Sequence, residues 1–337
     1  MRLNKNIKIF FNYFLGPLLF IWLSWSIYTQ IRRQPNLELS WQHIRSSLQS
    51  SLIWNFILVV VLMIVNWGIE SWKWKIVVKN VQPLSFGKAF RAVLSGVSFA
   101  VSTPNRMGEY VGRVLYMKEG NRLRAISLTI VCSMSQLIVT LAMGIVGLLV
   151  FMPKIYAAEF VSGLWVKVLL YAVLIALFFL TVFYFRLSWL VKWVDRLPGN
   201  HRYNYLVNAV EDVNATILFQ LLSLSLVRFC VFGIQYYLLF RLFGVDVGWW
   251  QGFWATSITF LILAIIPTIA LVEVVQRSTV ALKIFGLLTT NELGVGLTTI
   301  TVWFINLIVP ALIGSLLILG IKIFRNRNEA IQNTGHI

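Results

Sequence analysis

The segment Ser102–Arg113, with the sequence STPNRMGEYVGR, decides how this chain folds. It directly follows the apolar run Phe86–Val101 and introduces a proline, two glycines, two arginines and a glutamate. A similar set of residues occurs downstream as Pro267, Glu273 and Arg277. Because a proline with charged neighbours interrupts an apolar stretch in both places, we expect the two segments to face each other across a polar site.

The composition identifies the surroundings of these segments. The chain has 337 residues, of which 58% are hydrophobic and 12% are charged, and its mean hydropathy is +0.79. A soluble domain has about 25% charged residues, whereas several apolar runs here approach the roughly 20 residues that cross a bilayer. The alternating pattern of a membrane β-barrel is absent. We therefore predict an all-α polytopic membrane protein.

Charge counting predicts how the apolar segments cross the membrane. If all eight crossed, Lys and Arg would be equal on the two sides, at 14 each. If the shorter segments Phe86–Val101 and Trp249–Ile266 are instead re-entrant, 20 lie on the cytoplasmic side and 8 outside, as the positive-inside rule favours. We therefore predict six full spans, two re-entrant helical elements, an interfacial helix over Gln34–Ser50 and cytoplasmic termini. The predicted full spans are Phe10–Tyr28, Leu52–Trp67, Ile126–Phe151, Leu164–Phe185, Ile217–Phe240 and Val295–Ile321.

Aligned positions predict an internal repeat. The segment Gln136–Gly144 matches Asn306–Gly314. Because the two re-entrant elements would enter from opposite sides, the repeat is inverted, an arrangement that transporters build around a binding site near the membrane midplane. With one inserted residue, the motif residues align as Pro104 with Pro267, Glu109 with Glu273, and Arg113 with Arg277. The predicted parts of the chain are residues 1–50 (N-terminal span and interfacial helix), 51–152 (repeat 1), 153–215 (connecting span and cytoplasmic loop), 216–321 (repeat 2) and 322–337 (basic tail).

The first motif could form an anion site. Thr103 is suited to cap a helix that begins at Pro104 and continues over Asn105–Lys118, with Arg106 in its first turn. The exposed N–H groups and the dipole of such a terminus favour a phosphate. The alternative is that these residues simply begin an interfacial helix on the cytoplasmic side.

The two acid–base pairs are the strongest functional candidates. Each glutamate stands four residues before its arginine, which in isolation would indicate an ordinary ion pair within a helix. Recurrence after a proline in both halves favours a functional pair, and Arg228, inside a predicted span and seven residues before Gln235 on the same face, is expected to face a cavity. Gln136 and Asn306 could line that cavity or join helices, and Glu70 is interpreted as interfacial. The predicted substrate-binding residues are Thr103, Pro104, Arg106, Gly108, Glu109, Arg113, Arg228, Gln235, Pro267, Glu273 and Arg277.

Several functional classes are disfavoured. The net charge is +17, but the basic residues cluster in loops between apolar runs, where they attract anionic lipid headgroups, so nucleic acid is not an expected partner. The cysteines Cys132 and Cys230 lack metal-ligand spacing, and no HExxH, Walker A or G-x-S-x-G motif occurs. We therefore expect no metal, no cofactor and no catalytic residue, and neither an ATP-driven pump nor a nucleotide-sugar enzyme.

The motif residues resemble a known family. The run Leu84–Phe90, the motif Thr103–Glu109 with Arg113, and the later Pro267, Glu273 and Arg277 are similar to the lysylphosphatidylglycerol synthase transmembrane region family, over roughly Leu52–Ile321. That family includes the flippase half of the bacterial multiple peptide resistance factor. Val272 stands where the family often has glycine, and the chain stops soon after its last span, without a soluble aminoacyl-transferase domain. The resemblance thus implies the translocase half without the synthase.

The expected function is movement of a lipid between the leaflets of a bacterial inner membrane. The cargo would be an anionic or aminoacylated phospholipid or a polyprenyl-phosphate lipid, and the protein would not be an enzyme. A homo-oligomer or an envelope-lipid synthase is a possible partner. The alternatives are a non-catalytic membrane partner of such a synthase, or a lipid-carrier-dependent transferase with Glu109 as its base.

Overall fold

The computed structural model describes residues 42, 46, 49–101, 103, 107–158, 162–186, 213–266 and 270–319. Regular secondary structure in these residues is helical, and five of the helices are long and apolar enough to cross a membrane, which confirms an all-α polytopic membrane fold. In chain order the α-helices of the described residues are α1 (Ile53–Val77), α2 (Phe86–Val101), α3 (Gly108–Val114), α4 (Arg122–Ala157), α5 (Gly163–Phe185), α6 (Ala215–Leu242), α7 (Trp249–Ile265), α8 (Ala270–Phe285) and α9 (Glu292–Leu319). The five long apolar helices are α1, α4, α5, α6 and α9.

Five of the six predicted spans coincide with these long helices. The predicted span Phe10–Tyr28, most of the predicted interfacial helix and the basic tail lie outside the described residues. Helix α1 differs from its prediction, because it continues beyond Trp67 to Val77. Its additional turns carry Glu70 and Lys73, whose opposite charges pair inside the protein, so these charges do not require the helix to end.

The first predicted re-entrant element consists of α2 and α3, which pack closely against each other. A Cβ atom on Gly112 would lie 2.3 Å from the backbone nitrogen of Gly96, and one on Gly108 would lie 2.2 Å from the carbonyl oxygen of Phe99. Only glycine permits this approach, which explains both glycines of the motif. Gly108, predicted to bind substrate, therefore lies against the backbone of α2.

The turn between α2 and α3 is held by Thr103. Its hydroxyl donates to the carbonyl oxygen of Phe99 at 3.2 Å and accepts the backbone N–H of Gly108 at 2.7 Å. This hydroxyl therefore binds the first N–H of the helix Gly108–Val114, but the residue at the N-cap position of that helix is Met107, not Thr103 as predicted. Because the N–H of Gly108 is already bonded to Thr103, one backbone donor fewer is available to the phosphate that was predicted at this helix terminus. Pro104 and Arg106 lie outside the described residues.

The second predicted re-entrant element consists of α7 and α8, which also contact each other. Helices α2 and α7 have 16 and 17 residues, at or below the shortest length that spans a bilayer. Helix α8 carries Glu273 and Arg277, while Pro267 lies outside the described residues. The lengths agree with re-entrant elements, and the membrane side from which each one enters remains a prediction.

Two glycines join the halves through reciprocal contacts. Gly144 of α4, in the first half, packs against Leu261 of α7 in the second, where an added Cβ would lie 2.5 Å from the leucine Cβ. Gly314 of α9, in the second half, packs against α2 in the first, where an added Cβ would lie 2.0 Å from the carbonyl oxygen of Leu94. These glycines occupy aligned positions in the sequence. Each of these aligned glycines therefore packs against the short helix of the other half, and the inverted repeat itself stays a prediction.

Candidate functional site

A buried carboxylate on α1 lies at the centre of the helix bundle. Glu70 is only 5% exposed, and one of its oxygens accepts a hydrogen bond of 2.8 Å from Arg113 of α3. Its other oxygen accepts a hydrogen bond from Arg228 of α6 and lies 3.4 Å from the ammonium of Lys73. Lys73 also donates to the carbonyl oxygen of Cys132 on α4. The interfacial interpretation of Glu70 is therefore wrong: this carboxylate is buried inside the protein and pairs with cations on three helices.

A chain of side-chain amides extends from this cluster. Arg228 donates through Nε to the side-chain oxygen of Asn66 at 2.7 Å, and the amide of Asn66 donates to that of Asn306 at 3.3 Å. Asn306 in turn donates to Gln235 at 3.0 Å, and Gln235 donates to the carbonyl oxygen of Val59 at 3.0 Å. The predicted substrate-binding residue Gln235 is fully buried in this chain and does not line the cavity described below. Gln235 therefore supports Asn306 directly, and it supports Arg228 through Asn306 and Asn66.

A local break in α9 fixes the backbone of Asn306. Residues Phe304–Ile308 form a π-helical turn, followed closely by Pro310. In a regular α-helix the N–H of residue 310 would bond to the carbonyl oxygen of residue 306, and proline has no N–H. That carbonyl oxygen instead accepts the indole N–H of Trp67 at 3.2 Å. The ring of Trp67 also lies under the guanidinium of Arg228, 5.5 Å from its centre, so the proline helps to position both groups.

The first acid–base pair is joined to the central carboxylate. Glu109 lies 3.3 Å from Arg113, which is 1% exposed and held between Glu109 and Glu70. The side chain of Glu109 is 21% exposed. Arg113 thus bonds to both carboxylates through the same nitrogen, Nη2, and Glu109 is the member of the pair that lines the cavity described below.

The second acid–base pair has the opposite orientation. Arg277 donates through Nε and through its terminal nitrogen to one oxygen of Glu273, at 2.8 Å and 2.6 Å. Glu273 is buried, whereas the side chain of Arg277 is 20% exposed. In this half it is the arginine that is available to a ligand.

A cavity of about 480 Å³ brings these groups together. Its polar lining includes Glu70, Glu109 and Tyr110 from the first half and Arg228 and Arg277 from the second. Gln136 and Asn306, at aligned positions of the two halves, both line it, and Asn306 also joins helices. Of the predicted residues, Glu109, Arg228 and Arg277 therefore line the cavity. Arg113 and Glu273 are paired with Glu109 and Arg277, respectively, and are not among its lining residues.

The cavity lining also includes apolar side chains. Three phenylalanines, Phe229 and Phe232 of α6 and Phe260 of α7, pack edge to face with ring centres 5.7–5.8 Å apart. Leu137 and Leu263 extend this wall. The cavity is therefore lined by both charged and hydrocarbon groups, and its volume is in the size range of ligand-binding pockets.

Comparison with known proteins agrees with this architecture. The family model described as the lysylphosphatidylglycerol synthase transmembrane region matches residues 13–314, which is most of the chain. No curated protein shows significant similarity to the chain. The match confirms the resemblance that the motifs suggested and indicates a membrane protein connected with the handling of lysylphosphatidylglycerol-related lipids. This chain belongs to the lysylphosphatidylglycerol synthase transmembrane region family.

Proposed function

We propose that this protein is a lipid translocase that moves an anionic or aminoacylated phospholipid, or a polyprenyl-phosphate lipid, between the leaflets of a bacterial inner membrane. The observation that carries the proposal is the composition of the cavity lining, which combines the arginines Arg228 and Arg277 with three phenylalanines. A lipid likewise combines a charged headgroup with hydrocarbon chains. Family membership supports the same class of cargo.

In this mechanism Arg228 and Arg277 bind the headgroup phosphate. Both guanidiniums line the cavity, and charge-assisted hydrogen bonds from arginine to phosphate are strong where water is scarce. Glu70 and Asn66 fix the direction of Arg228, and Glu273 fixes that of Arg277. Glu109 would balance the local positive charge or hold a cationic part of an aminoacylated headgroup.

The proposed transport path uses the two re-entrant elements as opposite gates of an inverted repeat. The reciprocal packing of Gly144 and Gly314 supports the two-fold relation on which this depends. Single cysteines at the exposed positions Lys118 and Thr290, which follow the two elements, test the orientation in a background without native cysteines. Labelling from opposite sides of the membrane is expected. Labelling from the same side would contradict the inverted topology.

The transport proposal is tested in proteoliposomes of phosphatidylglycerol and phosphatidylethanolamine that contain a trace of fluorescent phosphatidylglycerol. Dithionite bleaches the label only where the headgroup has reached the outer leaflet. We expect Arg277→Gln and Glu109→Gln to lose most of the protein-dependent bleaching, whereas Arg122→Gln, which removes an arginine from an exposed pair with Glu119, retains it. Wild-type bleaching rates in both cavity variants would contradict the proposed site, and an inactive wild-type protein that purifies with a synthase would favour the alternative role as its partner.

A further inference from the structure

Two carboxylates at the cavity are held firmly by arginines. Glu70 lines the cavity and accepts hydrogen bonds on both of its oxygens, from Arg113 at 2.8 Å and from Arg228. Glu273 is buried behind the cavity and accepts bonds of 2.8 Å and 2.6 Å from Arg277. A proton on either carboxylate would therefore disturb two charge-assisted hydrogen bonds inside the protein.

Glu109 is held more weakly than these two. It lies 3.3 Å from Nη2 of Arg113, whereas charge-assisted bonds are usually about 2.7–2.9 Å long. The same nitrogen makes its shorter bond, of 2.8 Å, to Glu70. The side chain of Glu109 is 21% exposed and lines the cavity. A proton on Glu109 would therefore weaken one long contact and leave the bond between Arg113 and Glu70 in place.

The groups around Glu109 come from several helices. Helix α2 packs against α3 but contributes no described titratable side chain to the cavity lining. The charged and titratable groups that line the cavity with Glu109, or contact one that does, are Tyr110 and Arg113 of α3, Glu70 and Lys73 of α1, Cys132 of α4, Arg228 of α6 and Arg277 of α8. An anion bound by the two cavity-lining arginines would thus share about 480 Å³ with the Glu109 carboxylate.

An anionic lipid in this cavity would act on Glu109 in two ways. Its negative charge disfavours an ionised carboxylate nearby, and its bulk displaces water from the exposed part of the side chain. Both effects favour the protonated carboxyl group. Because binding linkage is reciprocal, a proton on Glu109 would in turn strengthen the binding of the anion.

We infer that Glu109 takes up a proton when an anionic lipid enters the cavity, so that lipid and proton cross the membrane together. The inference rests on the proposed function and adds the ion to which transport is coupled. The proton comes from the solution on the side where the lipid enters and forms an O–H bond on the carboxylate. It leaves to the opposite solution when the lipid departs and Glu109 is again an anion beside Arg113.

Titration calorimetry of the full chain in detergent micelles measures this proton directly. Short-chain phosphatidylglycerol, whose phosphodiester stays ionised, is titrated at about pH 6, between the usual pKa of a glutamate and neutrality. The titration is repeated in buffers of different ionisation enthalpy, and the dependence of the observed heat on that enthalpy gives the protons taken up. We expect about half a proton or more per lipid bound to the wild-type protein.

Three variants identify the group that receives the proton. Glu109→Gln should bind the lipid without proton uptake, and above neutral pH it should bind about tenfold more tightly than the wild type, because it lacks the repelling charge. Glu109→Asp keeps a titratable carboxylate and should keep the uptake. Glu119→Gln makes the same change in an exposed pair and should behave as the wild type. Because Arg113 retains Glu70, the fold should survive changes at Glu109.

A pH gradient tests the coupling during transport. In proteoliposomes that are acidic outside, short-chain fluorescent phosphatidylglycerol should move to the inner leaflet until the ratio between leaflets approaches about tenfold per pH unit, as extraction by albumin reports. Vesicles without protein give the baseline, and Glu109→Gln should not exceed it.

The outcomes separate this inference from the proposed function. If the lipid binds without proton uptake, or crosses without responding to the gradient, proton coupling is wrong while lipid transport stands. If uptake persists in Glu109→Gln, Glu109 is not the proton site. If no lipid binds to the wild-type protein, both the inference and the proposed function are overturned.

Discussion

Replacing Glu70 should destabilise the fold more than any change at an exposed ion pair. In the structure its carboxylate contacts Arg113, Arg228 and Lys73, all of which are buried. Glu70→Ala would leave three cations without this common partner. Removing one member of a buried pair costs about 3–5 kcal/mol, and we expect a loss of free energy of unfolding in that range.

The matched control is Glu119→Ala. Glu119 also faces an arginine, Arg122 at 3.9 Å, but its side chain is 87% exposed. Exposed pairs of this kind contribute about 0–1 kcal/mol. A further control is the double variant Glu70→Gln/Lys73→Met, which removes one cation together with the carboxylate charge and should be more stable than Glu70→Gln alone.

The assay follows the reaction of Cys132 with a fluorogenic maleimide during heating in detergent. Cys132 is buried, and its carbonyl oxygen accepts from Lys73, so its thiol reports on this part of the core. The partly buried Cys230 is first replaced by alanine. If the melting temperature of Glu70→Ala equals that of Glu119→Ala, the stabilising role of the Glu70 carboxylate is refuted.

The remaining predictions concern packing and the amide chain, and each is checked by the same melting assay. Gly112→Ala should cost about 1–3 kcal/mol because its Cβ would lie 2.3 Å from a backbone atom, whereas Gly120→Ala, whose Cβ meets no described atom within 4 Å, should be nearly neutral. Gly314→Ala should be similarly harmful and Gly296→Ala harmless, and equal melting in either pair would contradict the close approach of the helices. Asn306→Ala leaves buried amide groups unpaired and should cost about 1–3 kcal/mol; an unchanged melting temperature would mean that the amide chain does not support the fold.

Much of the architecture could be predicted from the sequence because apolar run length is a local property. The two Glu-x3-Arg motifs were also expected to lie close together, and Glu109 and Arg277 do line the same cavity. The pattern could not say which member of each pair faces a ligand. Spacing within a helix places two residues side by side, but only packing against other helices turns Arg113 and Glu273 inward.

The interpretation of Glu70 as an interfacial residue was wrong for a related reason. Beside tryptophans near the end of an apolar run, a single glutamate is typical of a membrane interface. Its partners Arg113 and Arg228 come from distant parts of the chain, so no local pattern indicates them. The shared face of Arg228 and Gln235 was expected to point to the cavity, but both side chains also bond to α1, through Asn66 and Val59.

The bond between Trp67 and the carbonyl oxygen of Asn306 has a consequence for how this chain can vary. The indole takes the place of a peptide donor that Pro310 lacks, so a side chain on one helix completes the backbone of another. Any other residue at position 310 would supply a competing donor, and loss of the indole would remove this bond between α1 and α9. Across natural variants, positions 67 and 310 should therefore be kept or exchanged as a single unit.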